Sequence, residues 1–429
     1  MERSSIVRRV LAATLAFLAP AALLAVLPSL AGAQLASSTP PPTPVLLPNG
    51  ETTLSPFPSV LHTPVPSRRP PEISGRAAIL ADLDSGQVLF EKEADEQLPI
   101  ASVTKIATAL LVLERTDPQD VVTVSPEAAG DGRTAGISEL GLRAGERIRV
   151  DELLSALLLQ SANDAAIALA EHVSGSVLAF VQDMDERMAA LGLENTSFAS
   201  PNGLDDEGFS TARDLVAITR AAYAHPGFAS IVATRFRDIP APPSLPTRVV
   251  QNRNALLWLY PGAIGVKTGF TTEAGFCIVA TAERDGLRLI AVVLGAPRDA
   301  FSDAAALLDH GFRAFERREV IADGEPLGDV RIGEHDVPVA SGGSLISLIP
   351  VDAEVTRRIV VDPTAAFPPL PGETVGTVKV SVPELRIGQV PLRVASVPAP
   401  SPPASGPWWQ RAFSAVVGGV GAVLDALLG

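Results

Sequence analysis

Two apolar runs, Gly275–Glu283 and Leu287–Ala296, lie on either side of Asp285-Gly286, and this pairing narrows the fold more than any other feature. Asp-Gly supplies the positive φ that a tight hairpin turn needs, so the runs read as adjacent antiparallel strands. A second β-like pair, Ala77–Leu83 and Gln87–Glu91, is joined by Asp84-Ser85-Gly86. Between the two pairs the apolar period lengthens to that of helices. One helical stretch runs from Ser102 to Glu114; another runs from Asp151 to Gln160, breaks, and restarts over Asn163–His172. A further helix over Asp303–Phe315 follows the second pair. The order of strand pair, helices, strand pair and helix predicts an α+β domain, an antiparallel sheet covered by helices, over residues 75–318. Residues 319–396 carry short Val/Ile runs cut by Gly, Pro and Asp and predict a small all-β domain, with His335 in a surface loop.

At 429 residues the chain has length for both domains and for appendages. Residues 1–33 read as a secretory signal: Arg3, Arg8 and Arg9, an apolar stretch from Val10 to Leu30, then Ala31-Gly32-Ala33. The rival is an uncleaved membrane anchor; Pro20 and the Ala-rich composition favour cleavage. Either reading puts the bulk of the chain outside the cytoplasm. Residues 34–74 form a linker, with 11 prolines between Ser37 and Pro71, a composition that favours extended polyproline II. A second linker spans 397–407. Residues 408–429 place Trp409, Phe413, Val416, Val420, Val423, Leu424 and Leu427 at helical spacing. The run is too short and interrupted to span a bilayer and fits an amphipathic helix in the membrane interface. Its rival is docking on the protein itself, and Arg411 is its only basic side chain.

Composition excludes several functions. A net charge of −14 argues against a nucleic-acid binder, which needs a basic face to meet phosphates. The one cysteine, Cys277, excludes an internal disulfide framework and a Cys-based zinc cluster, and the five scattered histidines leave little for a metal site. Cys277 sits in an apolar strand and reads as a small buried hydrophobe. There are only four lysines beside 30 arginines, so a lysine inside a motif is informative.

Three motifs carry chemistry. Ser102-Val103-Thr104-Lys105 opens an apolar helix, where residues three apart share a face. An amine whose pKa is lowered by burial and a nearby cation can take the serine proton. By itself this spacing is common on exposed helices. Ser161-Ala162-Asn163 sits at a helix break and offers a hydroxyl and an amide for proton relay and hydrogen bonding; its plain alternative is a helix cap. Lys267-Thr268-Gly269, on a predicted strand edge, can present its side chains to a carboxylate, with Gly269 permitting close backbone approach; its alternative is a strand lysine in water.

Together, in this order, the motifs resemble the penicillin-recognising serine enzymes, which include penicillin-binding proteins and class A β-lactamases. Within that group the chain is similar to the low-molecular-mass penicillin-binding proteins, the serine-type D-alanyl-D-alanine carboxypeptidases. The resemblance covers about Gly75 to Ala399 and includes Ser200-Pro201-Asn202-Gly203-Leu204, Ser210-Thr211-Ala212-Arg213-Asp214 and Gly265–Thr271. It implies a transpeptidase/β-lactamase-like catalytic domain and a substrate ending in D-Ala-D-Ala on a peptidoglycan stem peptide. β-Lactams would be covalent inhibitors, and no cofactor or metal would be needed. Ser102 would be the nucleophile, Lys105 its base, Ser161 the proton relay, and Asn163 the residue that positions the acyl amide and Lys105. Lys267 would supply positive potential. Thr268 and Thr271, with Arg298, would hold the terminal carboxylate; Arg298 is placed by its position after a strand, and its plain alternative is a surface arginine. The backbone N–H groups of Ser102 and Phe270 would form the oxyanion hole.

Three other readings stand beside this one. A class A β-lactamase places a glutamate four residues before an asparagine, and none of the six asparagines here has one. A D,D-endopeptidase would use the same residues. A non-catalytic wall-binding module would have no need of Ser102, Lys105 and Lys267.

Overall fold

The computed structural model describes residues 69–395, apart from 131–136, 206, 244, 334, 366–367 and 384. The predicted signal (1–33), nearly all of the first linker, the second linker and the terminal helix (408–429) lie outside the described residues.

Strands β1 (Ala77–Asp82) and β2 (Val88–Lys92) form the first hairpin, and β3 (Ala263–Thr271), β4 (Gly275–Arg284) and β5 (Leu287–Ala296) supply the rest of one sheet. Its order is β2-β1-β5-β4-β3, and every neighbouring pair is antiparallel. Successive strand side chains alternate faces, so β1, β4 and β5 feed two cores. One contains Ile79, Val279 and Val292 and meets the helices around α1 (Lys105–Arg115), whose residues from Lys105 to Val112 are all buried. The other contains Leu80, Ile278 and Leu289 and meets the helix Phe301–Ala314 through Phe301, Ala304, Leu307 and Leu308. β4 and β5 are apolar over most of their length because both of their faces are covered.

Two local departures from the sequence reading matter for the site. The helix predicted from Ser102 begins as a 3₁₀ turn over Ala101–Thr104 and becomes α-helical only at Lys105. The stretch predicted as one helix to Gln160 is α-helical over Val150–Ser155 and winds as a π turn over Ala156–Gln160. Ser161 then takes φ 67° and α-helix resumes at Asn163. A π turn inserts an extra residue and is frequent at functional sites.

Helix Phe301–Ala314 passes directly into strand Phe315–Ile321, which pairs with Leu345–Pro350. A separate five-stranded antiparallel sheet completes this β domain, whose core includes Ile349, Val378, Val380 and Leu392. His335 is exposed and begins a strand rather than lying in a loop. Gln87, in the turn after β1, ties the two domains. Its amide donates to Leu348 O at 2.6 Å and accepts from Leu348 N at 3.0 Å and from Ser347 Oγ at 2.8 Å. Among the described residues no single helix is long and apolar enough to cross a membrane.

The helix Phe301–Ala314 lies flat on the sheet because residue 311 has no side chain: a Cβ there would fall 2.5 Å from Leu289 Cδ1 and 3.0 Å from Leu80 Cδ2. Gly311→Val is therefore expected to overpack this interface and cost about 1–3 kcal/mol. Denaturant unfolding of the two proteins checks it; equal midpoints would refute the tight contact.

Candidate active site

Ser102 lies in the 3₁₀ turn and Lys105 is the first residue of α1, so the turn lifts the serine clear while the lysine enters the core. Lys105 is fully buried. Its Nζ lies 2.9 Å from Ser102 Oγ, 2.8 Å from Asn163 Oδ1 and 2.6 Å from the Asn202 carbonyl. A neutral amine has two N–H donors and one lone pair. The two carbonyl oxygens can take both donors, which leaves the lone pair for the Ser102 hydroxyl. Burial pushes the Lys105 pKa well below the ordinary lysine value, and the positive charges of Lys267 and Arg253 push it further; Asp164 opposes them.

Asn202 comes from the Ser200–Leu204 turn, where its side-chain oxygen accepts from Leu204 N at 3.0 Å and Ser200 Oγ at 3.1 Å. Its place beneath the nucleophile depends on Gly203, at φ 72°, whose Cβ would come 2.0 Å from Ala101 O. Asn163 is fixed from two directions. Its side chain meets Lys105, and its backbone N–H donates to Ser138 O at 2.8 Å. Neither Asn163 nor Asp164 caps the helix: the cap position is Ala162, with no side-chain cap bond. Asp164 instead accepts the backbone N–H groups of Leu140, Gly141 and Leu142 at 2.9, 2.8 and 3.0 Å, pinning the loop that carries Ser138.

β3 is the sheet's outer strand and lies against the 3₁₀ turn. A Cβ on Gly269 would come 2.9 Å from Ile100 O and 3.1 Å from Ser102 N, so a glycine is required for strand and turn to approach this closely. Lys267 is 1% exposed and donates to the Thr268 carbonyl at 2.7 Å. Burial, and then Arg253, push its pKa well below the lysine norm. Thr271 Oγ1 accepts from Ala274 N at 3.0 Å within the β3–β4 turn. The Phe270 ring packs on Phe276, with centroids 4.5 Å apart.

A cavity of about 440 Å³ unites these pieces and is lined by Ser102, Ser161, Asn163, Thr268, Gly269, Phe270 and Thr271, among others. Arg298 is not in its wall; it sits exposed on the bend after β5. The arginine that lines the cavity is Arg253, whose guanidinium donates to Ser138 Oγ at 2.9 Å. The sequence reading missed it: among 30 arginines, residue counting gave it no prominence. Its flanking asparagines were the one available signal, since Asn252 and Asn254 are buried turn-formers that fix the backbone on both sides of it. Cys277 also borders the cavity, but burial pushes its thiol up to about 12, which leaves it protonated and inert.

A serine held against a buried lysine, a second serine and asparagine at a helix break, and a lysine on an adjoining edge strand define a penicillin-recognising serine peptidase. The family model for D-alanyl-D-alanine carboxypeptidase matches residues 65–298, and the chain belongs to that family. It is 32% identical over 316 residues to D-alanyl-D-alanine carboxypeptidase DacF of Bacillus subtilis, covering 70% of this chain and 80% of the relative. It is 35% identical over 348 residues to D-alanyl-D-alanine carboxypeptidase DacC of Escherichia coli, covering 76% and 84%. Penicillin binding protein 5 from Haemophilus influenzae superposes with a TM-score of 0.62 at 29% identity, covering 76% of this chain and 98% of that one.

The electrostatics predict a pH profile. Only the neutral Lys105 amine can accept a proton, so acylation of Ser102 by a β-lactam should rise with pH and level off, with its midpoint well below the lysine norm of 10.5. Arg253→Gln removes one cation that lowers the Lys105 pKa and should move that midpoint to higher pH. Stopped-flow acylation across pH checks both; an unmoved midpoint would show that Arg253 does not act on Lys105.

Proposed function

We propose that the protein removes the terminal D-alanine from peptidoglycan stem peptides through an acyl-enzyme on Ser102, and that β-lactams acylate the same oxygen. The observation that carries this reading is the placement of Lys105 Nζ within hydrogen-bonding distance of Ser102 Oγ while two carbonyl oxygens occupy its other directions. In the first step Ser102 Oγ bonds to the carbonyl carbon of the penultimate D-alanine as its proton passes to Lys105. The backbone N–H groups of Ser102 and Phe270 receive the oxyanion, and losing one such donor typically costs ~3 kcal/mol of barrier. The C–N bond then breaks, and Ser161 relays the proton held by Lys105 to the departing amine. Water splits the ester and regenerates Ser102.

Thr268 and Thr271 hold the substrate carboxylate, with Arg253 contributing fixed positive charge deeper in the cavity. Burial disfavours a charged Lys267 in the empty site. An arriving carboxylate favours the protonated form. The enzyme works on the extracytoplasmic side of the membrane, in keeping with its predicted secretory signal. Residues 408–429 hold it on the membrane surface.

Ser102→Ala is expected to abolish both benzylpenicillin adduct formation, read by intact mass, and D-alanine release from a peptide ending in D-Ala-D-Ala. A retained adduct would refute the nucleophile. Deleting the residues after Pro407 is expected to move the protein from the membrane fraction to the soluble fraction; continued sedimentation with membranes would make the N-terminal segment the anchor.

A further inference from the structure

The loop that carries Ser138 is held at both ends by arginines from one short segment of the chain. Arg248 begins the second strand of the hairpin formed by Phe236–Ile239 and Arg248–Gln251, and Arg253 follows just beyond that strand. Arg253 donates to Ser138 Oγ at 2.9 Å, at the start of the loop. Arg248 grips the far end. Its Nη1 and Nη2 lie 2.6 and 2.9 Å from the two carboxylate oxygens of Glu146, and Nη2 also donates to the Gly141 carbonyl at 2.9 Å. Glu146 Oε2 accepts the Arg143 N–H at 3.2 Å, which closes the loop on itself. Ser138 passes this support inward. Its hydroxyl donates to the carbonyl of Gln160, the last residue of the π turn, at 2.7 Å, and its carbonyl accepts the Asn163 N–H at 2.8 Å.

The Arg248–Glu146 pair is nearly enclosed, with side chains 11% and 5% exposed. A buried ion pair is a poor source of stability, because taking both charges from water offsets most of their attraction. What a forked guanidinium–carboxylate pair supplies is orientation, since two parallel hydrogen bonds fix both partners. We infer that Arg248 and Glu146 are positioning residues for acylation: their pair seats loop 138–146, so that Ser138 holds Arg253 at the cavity wall and Asn163 against Lys105. This rests on the reading of Lys105 as the base for Ser102. Neither Arg248 nor Glu146 lines the cavity, so each acts through Ser138. The charges that act on Lys105 directly are Lys267 on β3, Arg253 and, in the opposite sense, Asp164 from the helix Asn163–Ser174. With the pair broken, Ser138 no longer anchors Arg253. The guanidinium turns towards solvent, and less of its positive potential reaches Lys105.

The test is the pH midpoint of Ser102 acylation by benzylpenicillin, followed by stopped flow on variants shown to be folded by circular dichroism. Glu146→Gln keeps the shape of the side chain and removes its charge. Acting through space alone, loss of a negative charge would favour the neutral Lys105 amine and move the midpoint to lower pH. Loss of the seat for Ser138 is expected to move it to higher pH, by at least about 0.5 pH unit, a fraction of what one nearby charge contributes. Arg248→Lys leaves the net charge unchanged but cannot form the fork. Its midpoint should also rise, by less than that of Glu146→Gln. Glu146→Gln combined with Arg253→Gln should match Arg253→Gln alone within about 0.3 pH unit, because the pair acts through Arg253. A midpoint that is unmoved or falls in either folded single variant overturns the positioning role, as do shifts that add in the double variant. A merely structural brace would lower the temperature of unfolding and leave the pH midpoint in place. A wild-type enzyme that forms no benzylpenicillin adduct on Ser102 would instead overturn the nucleophile reading.

Discussion

Burying a lysine without a counter-ion is the constraint on which the site depends. A primary amine in an apolar core is costly as a cation and tolerable as a neutral donor if its two N–H groups are satisfied. The fold meets that condition with two carbonyl oxygens from distant parts of the chain, the side chain of Asn163 and the backbone of Asn202. Each is fixed by its own surroundings: Asn163 through Ser138, and Asn202 through a glycine turn packed on the backbone of Ala101, the residue before Ser102. With both N–H groups so engaged, the amine has its lone pair left for Ser102, as the proposed base requires.

The approach of three elements around that amine calls for unusual backbone. Ala101 and Ser161 hold positive φ although neither is glycine, at 47° and 67°. Such conformations cost on the order of 1–3 kcal/mol each and persist where surrounding structure over-determines them. One precedes the nucleophile and the other is the proposed proton relay. The π turn before Ser161 has the same logic, since it shifts the helix register so that a serine and an asparagine project into one cavity.

Much of this was legible in the residues. The hairpin over 275–296 followed from an Asp-Gly turn between apolar runs, and the α+β arrangement followed from alternation of strand and helix periods. The motifs containing Ser102 and Lys267 stood out because lysine is rare in this chain, and Ser161-Ala162-Asn163 gained meaning from lying between them. What was not legible depended on tertiary contacts. The 3₁₀ start and the π turn have no strong signature, because both are imposed by packing against other segments. Arg253 is one arginine among many until the fold brings it to the cavity. Arg298 looked well placed by strand order, yet a two-residue bend leaves it in solvent. Asp164 has no mark in the sequence that sets it apart, and only the loop at 140–142 gives its carboxylate a use.

The same lysines bear on how the protein responds to acid. An unfolded chain holds Lys105 and Lys267 protonated up to about pH 10.4, whereas the folded chain releases those protons at a lower pH. Between those two pKa values unfolding takes up protons, so these groups make stability increase with pH and weigh against the fold on the acid side of that window. The centre proposed to make the serine reactive is thus also a thermodynamic proton sensor: acidification through that window both protonates its base and loosens the core in which that base is buried.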